Sequence, residues 1–510
     1  MGDSKFNQEL FATESINEVL KLLGIPAKEE IIQVFSSSME EAVSHGFYRE
    51  DVIRYWKAMM AGTETNLKIY PQIQPILQKC KEVLYGAKNL MDIREEPVPW
   101  KSWAVEDTED KAFQQISDSC SLPISVGGAL MPDAHSGYGL PIGGVLATKN
   151  AVIPYAVGVD IACRMHMTVL DIPYKELLTN EKRFIQAIEE ETRFGVAAQF
   201  SGDEIRHHPV MDEDWDFCEI VKRVKRKAAK QLGTSGAGNH FVEFGKLVVP
   251  EDINEPQLTL KAGEYLALLS HSGSRGPGNE VATHFSQLAQ KLHPFLPDKF
   301  KHLAWLDLDS REGQDYWKAM ELMGRYASAN HALIHENIVR NLKAKVLASL
   351  ENHHNFAWKE VFNGEELIIH RKGATPAGKG VLGIVPGSMA TPGFIVRGKG
   401  NPDSFNSCSH GAGRLMSRTA AFRQLTESNL KKILEEKGVH LISGSLDESP
   451  EVYKDIESVM AQQKDLVDVL ARFEPRLVKM ASRSSDRADR RYEERRNRRR
   501  NKREDQEVCL

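Results

Sequence analysis

The sequence predicts an α+β protein, one large body of mixed strands and helices with a helical region before it and a charged tail after it. Three observations predict this. Between Trp100 and Lys479, short apolar segments of strand length alternate with helical stretches at unequal spacing, unlike the regular winding of a βαβ protein. Ahead of that body, apolar residues recur at helical spacing. After Met480 the composition turns abruptly to arginine mixed with acid. The expected boundaries are 1–96 for the helical accessory region, 97–480 for the catalytic body and 481–510 for the tail.

In the first region Ile31, Ile32, Val34 and Phe35 begin an amphipathic pattern that Val52, Ile53, Tyr55, Trp56 and Met59 continue. The proline-bearing stretch EEPVPWKSW closes it around Pro97 and Pro99. No catalytic constellation lies there, so a packing or oligomerisation role is expected. In the body, residues 152–155, 265–269, 367–369 and 394–396 read as strands, and 216–231 and 314–338 as helices, with no internal repeat. The tail, SSDRADRRYEERRNRRRNKREDQE, cannot bury a core and reads as a solvated helix or a disordered segment; its arginines allow non-specific phosphate contact.

A chain of 510 residues can bury a large core, with room for roughly two to four domains. With 41% hydrophobic and 27% charged residues the composition is that of a globular protein, and a net charge of -5 gives no global sign of a nucleic-acid partner, so any basic surface is local. No run approaches the roughly eighteen apolar residues of a membrane span. The start MGDSKFNQEL lacks the basic-then-apolar order of a secretory signal, and a cytoplasmic location is expected. Six cysteines, at 80, 120, 163, 218, 408 and 509, include no CxxC pair, which argues against a zinc ribbon or a disulfide framework and fits a reducing compartment. Cys509 stands second from the end, so there is no prenylation box.

Chemistry concentrates first in residues 129–167, where Asp133 with His135 and Asp160 with Cys163 lie among glycine-rich turns and apolar runs. One turn of chain brings Asp160 and Cys163 to a single ion. The thiolate is a soft ligand and the carboxylate a hard one, a mixture that suits zinc or manganese better than calcium. A lone cysteine is more often a core residue and a lone aspartate a cap, so the rest of the chain decides. Four further segments supply histidines on glycine-rich flanks. GTSGAGNHFVEF carries Asn239, His240 and Glu243, and LLSHSGSRGPG carries His271, Ser272, Ser274 and Arg275; neither ends as a Walker loop. ENHHNFAWKE carries His353, His354 and Asn355, followed by Arg371 and Lys372 in HRKGATPAGKG and Ser388 in IVPGSMATPG, groups that a phosphate-rich ligand requires. CSHGAGRLMSR sets His410 before a glycine turn with Arg414 and Arg418 one helical turn apart, an arrangement for a histidine nucleophile whose phosphoramidate the arginines neutralise.

MPDAHSGYG, VGVDIAC, GAGNHFVE, HSGSRG, HHN, HRKGAT, PGSM and SHGAGRLMSR, in this order, resemble the signature motifs of the RtcB family of GTP-dependent RNA-splicing ligases. The resemblance runs from about Trp100 to Lys479 and leaves out the helical region and the tail.

The resemblance implies an RtcB-like catalytic body that joins an RNA 3′-phosphate, or a 2′,3′-cyclic phosphate after its opening, to a 5′-hydroxyl, using two manganese ions (Mn2+) and GTP, in RNA repair or tRNA splicing. By similarity Cys163 bridges the metals, with Asp160 and His240 on one and His271 and His354 on the other. His410 matches the nucleophile that forms a histidine–GMP intermediate. Asn239, Glu243, Ser388, Tyr453 and Lys479 match nucleotide contacts, and Arg275, Lys372 and Arg418 match positions that bind RNA phosphates; Asp133 is near the metals with its role open. An archease-like activator is a further expected partner. The alternatives are a 3′-phosphate guanylyltransferase that caps ends, a cyclic phosphodiesterase without ligation and, ranked last, a non-catalytic RNA-binding scaffold.

Overall fold

Apolar runs without the in-and-out alternation of a half-exposed strand belong to a sheet covered on both faces. In the computed structural model this is an eight-stranded sheet whose path runs Val346–His353, Arg164–Leu170, Gly263–Ser272, Phe241–Val249, Val467–Met480, Gly393–Gly398 and Leu382–Val385, with His440–Ser443 beside Val467–Met480. The structure describes residues 93–482 apart from 294 and 295, and ahead of them residues 29–46 and positions 16, 17, 20, 48, 49, 52 and 53. Within Gly263–Ser272, Leu266 and Leu268 pack with Phe184, Phe244 and Ile334 on one face, while Ala267 and Leu269 pack with Met165, Met167 and Leu247 on the other. Each buried leucine stabilises the fold by about 1.5–3 kcal/mol relative to an exposed one.

A second sheet of five strands runs Trp100–Ser102, Ser125–His135, Ile142–Thr148, Glu365–Lys372 and Phe356–Phe362. Pairing is antiparallel apart from Trp100–Ser102 with Ser125–His135, and His440–Ser443 with Val467–Met480, so both sheets are mixed as the α+β reading expects. Helices fill in around them. Arg311–Asn341 starts where the Ser310 hydroxyl accepts the Gly313 amide at 3.0 Å, a serine N-cap, and its Ile334, Ile338 and Val339 cover one face of the larger sheet.

The expected helix 216–231 is Glu219–Gln231, whose Ile220, Val221, Val224 and Ala228 are buried. The expected strand 152–155 is corrected. Only Ala151–Val152 pairs, and Pro154, at the first position of the helix Pro154–Val157, presets the helical φ and ends the strand. Glu29–Ser44 is helical, whereas Tyr55, Trp56, Met59 and the tail from 483 onward lie outside the described residues. No helix among the described residues is long and apolar enough to cross a membrane.

Candidate active site

Four neighbouring strands of the larger sheet bring the metal-ligand candidates to one edge. Cys163 precedes Arg164–Leu170, His240 precedes Phe241–Val249, His271 lies near the end of Gly263–Ser272, and His354 follows Val346–His353. The pairings of Met165 with His271, Phe241 with His271 and Arg164 with His353 set these four positions side by side. Asp160 joins them through the turn that sequence spacing anticipates, in which the Cys163 amide donates to the Asp160 carbonyl at 3.2 Å.

Cys163 Sγ is 3.4 Å from His240 Nε2 and 3.1 Å from His271 Nε2. Asp160 Oδ2 is 2.9 Å from His240 Nε2, and His271 Nε2 is 3.3 Å from His354 Nε2. Asp160, Cys163 and His240 form one group and Cys163, His271 and His354 another, the ligand atoms of each lying within 4.8 Å of one another. The backbone fixes the tautomers. His240 Nδ1 donates to the Ser235 carbonyl at 2.9 Å and His271 Nδ1 to the Asn239 carbonyl at 3.0 Å, which leaves both Nε2 lone pairs facing the thiol and the carboxylate. Lone pairs facing lone pairs repel unless a cation lies between them, so the donor set fits two ions sharing Cys163.

Electrostatics agree with that fit. Burial, with the repulsion of His240 next, lowers His271 to about 3, and burial with the neighbouring His410 and His271 holds His354 far below the ordinary range, so both rings are neutral at pH 7 and able to act as ligands. Burial and the adjacent Asp160 push the Cys163 thiol well up. Burial is the largest single influence on Asp160 and would raise it, but His240, Cys163 and Arg275 together outweigh burial, lower it and keep it ionised.

His410 approaches from a separate two-stranded ladder, Ala374–Pro376 with Ser407–Ser409. It follows the strand Ser407–Ser409, its ring centroid is 4.8 Å from that of His354, and its Nδ1 is 2.6 Å from Asp133 Oδ2. The same oxygen accepts the His410 and Gly411 amides at 3.1 and 3.3 Å. Gly413 follows with φ +75, where a Cβ would lie 2.1 Å from the Asp133 carbonyl oxygen, so only glycine lets the turn close on that strand.

A cavity at His410 is lined by Asn239, Glu243, Ser388, Tyr453, Lys372 and Arg418, together with Phe241, Met389 and Met480 as apolar wall. Burial pushes the Glu243 carboxyl well above its usual range and lowers the Lys372 ammonium to about 7. Ser388 and Thr391 hydroxyls are 2.9 Å apart across the PGSM turn. Two predicted residues are directed elsewhere. Lys479 is absent from the cavity lining because strand neighbours point to opposite faces: Val478 and Met480 line it, while the Lys479 ammonium pairs with Glu189 at 2.7 Å and lies over Phe194. Arg275 lines an adjoining cavity with Arg223, Lys227 and Asn279, its guanidinium held by Thr234 Oγ1 at 3.1 Å and the Gly195 carbonyl at 2.9 Å. The two cavities share Asp160, Val159 and Asn239 at the ligand cluster.

Arg371, grouped with Lys372 on sequence grounds, is fully buried and held by Glu360, the Ser407 hydroxyl and the Phe405 carbonyl, so it is structural. Arg414 and Arg418 are not one turn apart on a helix. The helix begins only at Arg418, and Arg414 pairs with Glu448 while stacking over Tyr453. Arg418 is clamped by Asp447 and Glu448, and the Tyr453 hydroxyl also bonds Glu448; no sequence signal pointed to these two acids. A third histidine group, His166, His331 and His335, supports the cluster from behind. His331 Nδ1 and His335 Nε2 bond the Ser270 hydroxyl at 2.9 and 2.8 Å, and the His166 and His335 rings stack only 8° from parallel, planes that no single in-plane ion can share.

The family profile described as tRNA-splicing ligase RtcB matches residues 115–480. The chain is 35% identical over 405 residues to the RNA-splicing ligase RtcB of Escherichia coli, covering 74% of this chain and 95% of that protein. It is 32% identical over 438 residues to the tRNA-splicing ligase RtcB of Nanoarchaeum equitans, covering 72% and 91%. It is 28% identical over 451 residues to the RNA-splicing ligase RtcB homolog 1 of Entamoeba dispar, covering 73% and 82%.

Proposed function

The chain belongs to the RtcB family and is an enzyme that ligates RNA ends in repair or tRNA splicing, and from that premise we propose that it joins an RNA 3′-phosphate, or an opened 2′,3′-cyclic phosphate, to a 5′-hydroxyl through guanylylation of His410. The observation that carries the proposal is the bond of His410 Nδ1 to the buried Asp133, beside two ligand groups that share Cys163. Capping or phosphodiesterase activity without ligation is not favoured.

Asp133 accepts the Nδ1 proton of His410 and so leaves Nε2 unprotonated as the nucleophile. Nε2 attacks the α-phosphorus of GTP; a P–N bond forms, the α–β bridging P–O bond breaks and pyrophosphate leaves. An oxygen of the RNA 3′-phosphate then takes the guanylyl group from His410, and attack by the 5′-hydroxyl on the activated phosphate closes the strand with release of GMP and the hydroxyl proton. Glu243 selects guanine, whose ring and exocyclic N–H groups donate to its two oxygens and so offset the burial that otherwise favours its protonated form, and Asn239, Ser388 and Tyr453 complete the nucleotide site. Asp160, Cys163, His240, His271 and His354 hold two divalent cations, which when bound supply Lewis-acid stabilisation of the phosphoryl oxygens. A thiolate ligand favours manganese over magnesium, which prefers oxygen donors. Lys372 and Arg418 bind phosphate in the nucleotide cavity, and Arg275 with Lys227 and Arg223 binds it in the adjoining one. A thiol ligand and four free cysteines among the described residues suit a reducing, cytoplasmic setting.

The test is incubation with manganese and GTP labelled at the α-phosphate, followed by addition of RNA with 3′-phosphate and 5′-hydroxyl ends. Label stays on the wild-type chain in a denaturing gel, is absent from His410→Ala, and is chased by RNA into free GMP and a longer strand. A wild-type chain that binds manganese and stays unlabelled would overturn the reading.

A further inference from the structure

Tyr48 and Tyr138 are the exposed aromatics among the described residues, and Tyr138, at 67% exposure, stands beside the catalytic cavity. Its loop leaves the cavity wall at His135 and returns to it at Ile142, both lining residues. The Tyr138 carbonyl accepts the Lys372 ammonium at 2.5 Å, and that lysine lines the cavity. A single exposed aromatic is ordinary on a protein surface; what marks Tyr138 is its place at the cavity rim on a loop that is held fixed.

The loop is built to hold the ring still. Gln115 clamps Gly137 from both sides, its amide donating to the Gly137 carbonyl at 2.6 Å and its oxygen accepting the Gly137 amide at 3.0 Å. Gly139, with φ +69, packs so closely on His302 that a Cβ would lie 2.7 Å from the His302 carbonyl oxygen. The Tyr138 ring meets His302 edge-on at 5.4 Å and Tyr155 at 6.4 Å, and Tyr155 and His302 are themselves 4.7 Å apart. An aromatic fixed in this way pays little ordering entropy when a planar group stacks on it.

We propose that Tyr138 is the stacking platform for the terminal base of the RNA strand that ends in the 3′-phosphate. The choice of strand rests on the ligase reading above and on one adjacency. Lys372 is followed by Gly373, whose Cβ position would be 3.1 Å from His410 Cε1. Lys372 and His410 also line the same cavity, so a phosphate held by Lys372 shares that cavity with the nucleophile and is the phosphate placed to take the guanylyl group, while the base attached to that end reaches outward to the rim where Tyr138, whose carbonyl holds the Lys372 ammonium, stands. Base stacking on an aromatic ring accepts any base, so the platform holds the end in place without reading sequence.

The test uses the full chain and a 3′-phosphate RNA carrying a fluorescent purine analogue at its last nucleotide. Saturating wild-type protein quenches the fluorophore, Tyr138→Trp quenches it as well, and Tyr138→Ala leaves it bright. In ligation, Tyr138→Ala raises the KM for the 3′-phosphate strand about tenfold, with His410 labelling by GTP unchanged as proof of an intact fold. With an RNA abasic at that nucleotide, wild type and Tyr138→Ala have the same KM. Quenching that persists in Tyr138→Ala, or an equal loss on intact and abasic RNA, overturns the platform. Quenching needs no turnover, so it judges Tyr138 even where absent His410 labelling overturns the ligase reading.

Discussion

Asp133 Oδ2 receives three donors from one neighbouring segment: His410 Nδ1 at 2.6 Å, the His410 amide at 3.1 Å and the Gly411 amide at 3.3 Å. The carboxylate thus holds the ring of His410 and the backbone that carries it, and it fixes the tautomer that exposes Nε2. Asp133→Asn keeps the shape but presents a donor or a weaker acceptor to Nδ1. It is expected to slow His410 labelling by about a hundredfold to ten-thousandfold, the range for an orienting carboxylate behind a catalytic histidine. Equilibrium binding of GTP, measured beside the labelling rate, should change little, because Asp133 does not line the cavity at His410 that is proposed to take the nucleotide.

The Cys163 thiol is held well above its ordinary range, so it is protonated in the metal-free protein, whereas Asp160 is ionised and His271 and His354 are neutral. A cation bound there displaces the thiol proton. Manganese affinity should therefore rise about tenfold per pH unit between about pH 7 and 8.5, measured by titration calorimetry in two buffers of different ionisation enthalpy, which also counts the proton released. Cys163→Ala should flatten that slope and reduce the bound manganese, since both ligand groups share this sulfur.

Much of this site is legible in the sequence because metal ligation and phosphate binding restrict residue type. Asp160 and Cys163 announce themselves by spacing, and His240, His271 and His354 by their flanking segments. What sequence order hides is pairing at a distance. The Asp133 to His410 bond spans 277 positions, and the acids that clamp Arg418 sit in a stretch, LDESPEVYKD, with no marker but charge. Strand direction is a second limit. Lys479 falls within a segment that does line the cavity, but one step along a strand reverses the face, and the pairing of Val478 with Glu243 sends Lys479 to the other side. Pro154 is a third case, where an apolar run that reads as strand is turned by its proline into a helical start.

Lys372 is lowered to about 7 by burial, far from the usual lysine value, and it lies at the cavity wall beside Gly373 and His410. The folded value is below the unfolded one, so the ammonium is present below pH 7 and is lost as pH rises through 7. A neutral amine cannot pair with phosphate. The KM for the 3′-phosphate strand should rise with pH above about 7, approaching tenfold per unit, while Lys372→Met gives a high KM that is flat across the same range. Steady-state ligation from about pH 6 to 8.5 at saturating manganese and GTP measures it, and a parallel rise in the variant would assign the slope to another group.

Asn330 ties the long helix Arg311–Asn341 to the ligand cluster. Fully buried, it accepts the Gly233 and Thr234 amides at 2.7 and 3.1 Å on Oδ1 and donates from Nδ2 to the Thr234 carbonyl at 3.0 Å and the Ser272 hydroxyl at 3.1 Å. One residue further along that loop, the Ser235 carbonyl fixes His240, and Ser272 follows His271 directly. Asn330→Ala would strand the Gly233 amide away from water, at a cost of about 1–3 kcal/mol, and would leave the Thr234 amide and carbonyl only their other bonds, to the Gln231 carbonyl at 3.1 Å and from the Ser272 hydroxyl at 3.3 Å. The expected loss is about 2 kcal/mol in urea unfolding of the metal-free chain, together with weaker manganese binding, because the loop that aims His240 Nε2 is less firmly held. The exposed Arg311 and Asp315 pair on the same helix, 3.7 Å apart, supplies the contrast: Arg311→Ala should change stability by less than about 0.5 kcal/mol and leave manganese affinity as it was. Equal effects of the two substitutions would show that helix propensity, and not the Asn330 bonds, governs both readouts.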